Sequence, residues 1–258
     1  MTASRREMIG GGLAAMAVAG GAQAQSSPQA QAMARAQARA PDTTPRAEAL
    51  DTPALHGNTL ARTFKQPPTG LVVPRIKVER ASGTRELEFQ PGLTLLSLWA
   101  PWCAPCLMEL KDLAAQQRAY EGKRFRILPV LTSPRGDISL AEANAVLAKV
   151  GAGALPVAID RSPDGKALFE TLTRRETPNG FSLGLPCNLL VDEGGRVLGR
   201  QFGAPLKLDG AKLGPGEKPT PEMMAAARSF WIAPDGMALL GALQRGEIAS
   251  PAQRPLVT

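Results

Sequence analysis

Two cysteines separated by two residues are the part of this sequence best suited to do chemistry. Cys103 and Cys106 follow an apolar run and begin a segment with helical spacing. Side chains three apart at a helix start lie close enough to close a disulfide within one turn. Unpaired amides and the helix dipole at this end stabilise a thiolate and lower the pKa of the first cysteine. We therefore predict that Cys103 attacks a partner disulfide and that Cys106 resolves the mixed disulfide.

The counts of other metal-binding residues restrict the alternatives for this pair. A zinc ribbon needs a second cysteine pair, but the sequence has three cysteines in all. The residue after Cys106 is leucine, so the histidine of a covalent haem motif is missing. The only histidine is His56, which excludes a multi-histidine metal site. We predict neither a bound metal nor a cofactor, and an inert structural disulfide is the simplest alternative.

The third cysteine and the nearby tryptophans have structural interpretations. Cys187 stands at the start of a predicted strand, where a free cysteine is usually a small buried residue. We expect it to be buried and to take no part in turnover, although a third redox thiol is the alternative. Trp99 fits the core, whereas Trp102, next to Cys103, is expected to cover the active-site surface.

The cysteine pair lies within an alternation of strand and helix patterns. Residues 71–79 and 85–89 flank a turn signal at Ser82-Gly83 and predict a hairpin. Further strands are predicted over residues 93–98, 125–131, 155–160, 188–192 and 196–202, and helices over residues 103–120, 139–150, 166–172 and 234–244. The largely apolar run at 93–98 predicts a fully buried strand, and Ser139 with Glu142 three residues later predicts a capping box. Residues 204–221, rich in Gly, Pro and Lys, predict a surface loop. This order predicts the α/β class, with a mixed central sheet flanked by helices and a hairpin near its end.

The first 24 residues have the features of an export signal. Arg5 and Arg6 precede a mildly apolar run over residues 8–20, and Ala22-Gln23-Ala24 matches the small-x-small pattern of signal peptidase sites. An arginine pair in this context is typical of a twin-arginine signal. We expect cleavage after Ala24 and a periplasmic protein, a compartment in which thiol pairs form disulfides. A disordered basic N-terminus is the alternative.

Composition predicts the rest of the organisation. Residues 25–60, mostly Ala, Gln, Arg, Pro and Ser, predict a low-complexity flexible linker, followed by a domain over residues 61–246 and a tail over 247–258. The 258-residue chain is 44% hydrophobic, which is enough for a sizeable core. Its net charge of +7 is spread without a basic block containing aromatics, so we expect no nucleic-acid partner. No apolar run is long enough to predict a membrane span.

The segment Trp99-Ala100-Pro101-Trp102-Cys103-Ala104-Pro105-Cys106 resembles the active-site segment of thioredoxin-fold proteins. It is most similar to the exported TlpA and ResA branch of thiol-disulfide oxidoreductases, and the resemblance extends over residues 64–246. Gly184-Leu185-Pro186 is similar to the cis-proline loop of that family, and residues 191–197 resemble its terminal hairpin. The resemblance implies a thioredoxin-like fold with an N-terminal β-hairpin and a central β/α insertion near residues 160–165.

The same resemblance suggests roles for individual residues. It assigns the shaping of the substrate-binding surface to Trp102, Ala104, Pro105, Leu185 and Pro186. Glu109 matches the glutamate that the family carries three residues after its second cysteine, where it would exchange a proton with Cys106 or tune that thiol. Cytoplasmic thioredoxins carry a buried aspartate where this chain has Ser97, so proton handling falls to Glu109 or water. Leu185 is bulkier than threonine and is expected to narrow the substrate groove.

The resemblance implies a monomeric enzyme that reduces selected protein disulfides in cytochrome c maturation or copper-centre assembly. Its partners would be protein thiols and disulfides, together with a membrane electron donor that reduces it again. Two alternatives stay open. Cys103 and Cys106 are soft ligands that suit Cu(I), but copper modules of this fold use a wider cysteine spacing and a downstream histidine. A net oxidant is the second alternative, because the direction depends on the reduction potential of the pair.

Overall fold

The structure, a computed structural model, describes most of the predicted domain. The described residues are 50, 52–68, 70–120, 122, 124–132, 138–163, 167–177, 180–207, 220, 222–223 and 228–248. The predicted export signal lies outside them, as do the predicted linker up to residue 49 and the tail from residue 249. Among the described residues, no helix has both the length and the apolar character needed to cross a membrane.

A mixed seven-stranded sheet forms the centre of the domain. The strands of the described residues are β1 Lys77–Arg80, β2 Gly83–Glu86, β3 Leu93–Trp99, β4 Phe125–Leu131, β5 Ala158–Asp160, β6 Arg175–Thr177, β7 Gly180–Ser182, β8 Cys187–Val191, β9 Val197–Phe202, β10 Leu206–Lys207 and β11 Arg228–Ser229. The large sheet has the order β2-β1-β5-β4-β3-β8-β9, and β6 with β7 and β10 with β11 form two small sheets. Strands β3, β4 and β5 are parallel, while β8 is antiparallel to both β3 and β9.

Helices cover both faces of the large sheet. They are α1 Ala104–Tyr120, α2 Leu140–Lys149, α3 Ala167–Leu172 and α4 Pro234–Arg245. Alternate residues of β3 point to opposite faces, so Leu95 packs with α1, α2 and α4, whereas Leu96 packs with α3. All seven residues of β3 are buried, which confirms the prediction of a fully buried strand. The predicted α/β class and mixed sheet are confirmed.

Local sequence signals set several element boundaries. The Ser139 side chain accepts a hydrogen bond from the backbone of Glu142, whose carboxylate accepts one from the backbone of Ser139. This reciprocal pair is the predicted capping box at the start of α2. The small sheet of β6 and β7 was not predicted, and β10 lies within a stretch predicted to be a surface loop.

The folded domain begins earlier than the predicted boundary at residue 61. Leu50, Leu55 and Leu60 are almost completely buried and belong to the same hydrophobic cluster as α1 and α4. Asn58 holds this segment in place, because its amide Nδ2 donates to the backbone carbonyl of Asp235. The prediction of a flexible linker up to residue 60 is therefore wrong for residues 52–60. Composition averaged over a window hides the three leucines that anchor the segment.

Candidate active site

Cys103 and Cys106 form a disulfide at the N-terminus of α1, with their Cα atoms 5.3 Å apart. Cys103 precedes the first helical residue, and its carbonyl accepts a hydrogen bond from the backbone of Leu107 at 3.2 Å. Its own backbone N–H donates to the carbonyl of Ala100, just beyond β3. The exposed fraction is 5% for Cys103 and 1% for Cys106. Both cysteines are thus largely covered in the disulfide form, with Cys103 slightly more accessible.

The residues beside the disulfide form an accessible surface. Trp102 is 44% exposed, Ala104 is exposed and Pro105 is half-buried. Trp99, by contrast, is completely buried in the core. These positions agree with the different roles that the sequence suggests for the two tryptophans.

The Leu185-Pro186 loop lies at the same end of the sheet as the disulfide. The peptide bond between Leu185 and Pro186 is cis, and β8 begins at the next residue. In the antiparallel pairing, Cys187 stands opposite Leu98, near the end of β3 that leads to Cys103. The disulfide at the start of α1 and the cis-proline before β8 therefore lie at the same end of two neighbouring antiparallel strands. The fold is thioredoxin-like. Within it, the cis-proline loop carries a half-buried Leu185 and a buried Pro186.

Comparisons with known proteins find several solved structures of partial similarity, although no family model matches the chain. The thioredoxin domain of a thiol-disulfide oxidoreductase from Bacteroides vulgatus is 22% identical, with a TM-score of 0.42 over 52% of this chain and 89% of that one. A thiol:disulfide interchange protein from Bacteroides sp. is 22% identical, with a TM-score of 0.41 over 51% of this chain and 80% of that one. StoA from Bacillus subtilis is 16% identical, with a TM-score of 0.39 over 52% and 90% of the respective chains. Each of these similarities covers about half of this chain and most of the other chain.

Glu109 is the titratable group behind the disulfide in this thioredoxin-like domain. It is completely buried on α1, one helical turn after Cys106. Its Oε1 accepts a hydrogen bond from the indole Nε1 of Trp231 at 2.7 Å and another from the amide Nδ2 of Asn188. Burial raises the pKa of Glu109 to about 8, because it outweighs the lowering effect of these two hydrogen bonds. A carboxyl group with this pKa can accept or release a proton near neutral pH.

A polar network that the sequence did not predict holds Glu109. Asn188 Nδ2 also donates to Oε1 of Gln201 at 2.8 Å, and Gln201 Nε2 donates to the backbone carbonyls of Phe202 and Gly203. Asn188 and Gln201 are buried. One signal for them exists in the sequence, since each is a polar residue inside a predicted apolar strand. Buried amides are costly unless they are hydrogen-bonded, so such residues point to an internal partner.

Trp231 is held in place by the turn that precedes α4. Its backbone N–H donates to the hydroxyl of Ser229 at 3.2 Å, and its ring packs edge-to-face on Phe64 with centroids 6.3 Å apart. The chain then passes so close to this turn that a Cβ atom at Gly236 would overlap the carbonyl oxygen of Phe230. Trp231 is therefore both a buried core residue and the hydrogen-bond donor to Glu109.

Cys187 lies on the other face of the sheet from the disulfide. It is a free cysteine, completely buried, and belongs to the hydrophobic cluster that contains α3, whereas Cys103 and Cys106 belong to the cluster of α1. Its Sγ is 3.7 Å from the carbonyl oxygen of Leu172. Burial raises the pKa of the Cys187 thiol to about 12. The predicted burial is confirmed, and the absence of a role in turnover stays a prediction.

Proposed function

We propose that this protein is a thiol-disulfide oxidoreductase whose Cys103–Cys106 pair cycles between dithiol and disulfide. The observation that carries the proposal is the disulfide at the start of α1, beside the cis Leu185–Pro186 bond. In the reduced form, the helix start stabilises a thiolate at Cys103, which is the nucleophile that disulfide exchange requires. Trp102, Ala104, Pro105, Leu185 and Pro186 form the surface that receives the partner.

The proposed reaction transfers two electrons in two exchange steps. The Cys103 thiolate attacks one sulfur of a protein disulfide, so that a mixed disulfide forms and the other substrate sulfur leaves as a thiolate that takes up a proton. Cys106 then loses its proton and attacks Sγ of Cys103. The intramolecular disulfide forms, and the second substrate sulfur leaves and is protonated. Glu109 is the proposed acceptor of the Cys106 proton, since it lies one turn away with a pKa near neutrality.

We further propose a cellular setting for this reaction. Export through the twin-arginine signal would bring the protein to the periplasm, where it would act as a monomeric reductant of selected protein disulfides. The setting would be cytochrome c maturation or copper-centre assembly, with a membrane electron donor restoring the dithiol. The support for this setting is the arginine pair at Arg5 and Arg6 and the resemblance of the segment from Trp99 to Cys106.

A reduction assay on the mature chain from residue 25 onward tests the proposed activity. With dithiothreitol as the reductant, the protein should accelerate the reduction of insulin disulfides. Cys103→Ser should abolish the acceleration, whereas Cys187→Ser, the matched thiol control, should keep it. A rate no faster than that of dithiothreitol alone would contradict the proposal. If the reduced protein shows no such acceleration but binds Cu(I) stoichiometrically, the result would instead favour a copper-binding module.

The reduction potential of the pair tests the proposed direction. Equilibration with glutathione buffers gives this potential from the fraction of oxidised protein. A value near that of thioredoxin, about −270 mV, would support a reductant. A value near that of a strong periplasmic oxidant, about −120 mV, would contradict it and favour net oxidation.

A further inference from the structure

A cavity of about 310 Å³ lies where β9 approaches α3. Four basic side chains contribute to its lining, those of Lys65, Arg174, Arg175 and Arg200, together with the ring of Phe202. None of the described residues that line it is acidic. We call this cavity the basic cleft. A concave surface lined by charges of one sign raises the local concentration of ligands with the opposite charge.

The arginines of the basic cleft are fixed by backbone and aromatic contacts. Arg200 is 7% exposed, and its Nη1 donates to the carbonyls of Leu172 at 3.1 Å and Arg174 at 2.8 Å. The guanidinium groups of Arg200 and Arg175 lie 4.6 Å and 5.6 Å from the ring centroid of Phe202. Contacts of this kind restrict the side chains, so less conformational entropy is lost when they bind a carboxylate.

The basic cleft continues toward the cis-proline loop. A second cavity of about 280 Å³ shares Arg175 and Phe202 with it and is also lined by Gly184 and Leu185. Phe202 stands opposite Cys187 in the sheet, and Cys187 stands opposite Leu98. The second cavity therefore lies at the end of the sheet where β3 leads to the disulfide, and the basic cleft adjoins it at Phe202 and continues along β9. A protein bound across the Leu185-Pro186 loop would extend naturally into the cleft.

We propose that the basic cleft binds an acidic segment of the protein whose disulfide is reduced. The inference rests on the proposed function, which it deepens by naming a substrate class. Carboxylates pair with guanidinium groups in a bidentate geometry, which matches the planar donors of Arg174 and Arg175. The continuity with the Leu185-Pro186 loop favours a polypeptide segment over a free anion, because one chain can then occupy both cavities.

Paired peptides test this proposal. Each peptide has one internal disulfide, and the two members of a pair differ only in whether they carry a run of glutamates or of glutamines. Two such pairs are used: in one the run precedes the disulfide, and in the other it follows the disulfide. The measured quantity is the second-order rate constant for oxidation of the reduced mature protein. In one of the two placements, the glutamate peptide should react about three to ten times faster at low salt. The ratio should approach one as salt screens the charges.

A double variant assigns the effect to the basic cleft. Arg174 and Arg175 are exposed, so Arg174→Gln with Arg175→Gln should reduce the glutamate-to-glutamine rate ratio to about one without a large effect on folding. The matched control is Arg85→Gln with Arg196→Gln, two exposed arginines outside the cleft, which should keep the ratio. Reduction of the glutamine peptide by each variant shows that its active site is folded.

The outcomes separate the cleft from the activity itself. Equal rates for both peptides with the unmodified protein would overturn the acidic-segment proposal and leave the oxidoreductase proposal standing. A ratio unchanged in the double variant, or lost equally in the control, would also overturn it. Failure to reduce either peptide would instead contradict the proposed function.

Discussion

Trp231 donates a hydrogen bond from its indole nitrogen to Oε1 of Glu109 at 2.7 Å, across 122 positions of sequence. Both residues are completely buried. The contact brings the segment before α4 onto the buried face of α1, one turn from Cys106. The network around Glu109 thus contains neutral donors, and burial dominates the pKa of its carboxyl group.

Replacing Trp231 with phenylalanine should raise the pKa of Glu109 further. The indole hydrogen bond favours the ionised carboxylate, and its loss should move the pKa upward by roughly one unit. The variant should also unfold more easily by about 1–3 kcal/mol. The pH profile of disulfide exchange and denaturant unfolding measure the two effects.

Trp99→Phe is the matched control for this variant. Trp99 is equally buried, but its indole nitrogen has no hydrogen-bond partner among the described residues. The control should lose stability without moving the pH midpoint. Equal shifts in both variants would show that the hydrogen bond does not set the pKa of Glu109.

Substitution of Glu109 by glutamine should slow disulfide exchange and remove a pH-dependent step near pH 8. A glutamine keeps the shape of the side chain but cannot accept the proton of Cys106. The expected loss is about a hundredfold in rate, at the lower end of what positioned acid–base groups contribute. Stopped-flow exchange from neutral to alkaline pH measures the effect, and unchanged kinetics would make Glu109 a structural residue only.

The stability of the oxidised protein should decrease as the pH rises through the folded pKa of Glu109. That pKa is about 8, above the ordinary value of 4.5, so the folded state keeps a proton that the unfolded state releases. The stabilisation is complete below the unfolded pKa of 4.5, decreases as the pH rises toward the folded pKa of about 8, and is fully lost above it. The full change is on the order of 5 kcal/mol. The free energy of unfolding of Glu109→Gln, measured with denaturant, should lack this decrease with pH. If the unmodified protein and the variant lose stability equally as the pH rises, another titratable group causes the decrease.

Alkylation of the reduced protein should label Cys103 before Cys106. Cys103 lies at the start of α1 and is the more exposed of the pair, whereas Cys106 is covered by its own helix. Peptide mapping after brief treatment with iodoacetamide near neutral pH gives the order. A Cys106→Ala variant should accumulate mixed disulfides through Cys103. Preferential labelling of Cys106 would reverse the roles of the two thiols.

Cys187 should remain unreactive in the native protein and become titratable on unfolding. Its burial and its pKa of about 12 suppress the thiolate at neutral pH. Cys187→Ser should destabilise the fold by about 1–3 kcal/mol through a buried hydroxyl, and Cys187→Ala should be milder. Thiol counting and denaturant unfolding test both statements. A native disulfide between Cys187 and an active-site cysteine would contradict them.

The elements that the sequence predicted well depend on local patterns. The capping box of Ser139 and Glu142 and the buried run of β3 involve neighbouring residues, so their signals lie within a few positions. Residues 52–60 were mispredicted because Leu55 and Leu60, together with Leu50, bury against distant helices. The β6–β7 pair was missed because each of its strands is only three residues long.

The chemical nature of the site follows from the sequence, because two cysteines at a predicted helix start define a redox pair wherever that helix packs. The tertiary structure decided what surrounds the pair. Burial raises the pKa of Glu109, and the hydrogen bonds from Trp231 and Asn188 offset only part of that rise. These two partners come from a strand and a turn that are distant in sequence from α1. The basic cleft likewise combines Lys65 with arginines more than a hundred residues later. Burial and electrostatic environment depend on which distant segments pack together, and spacing along the chain does not report that.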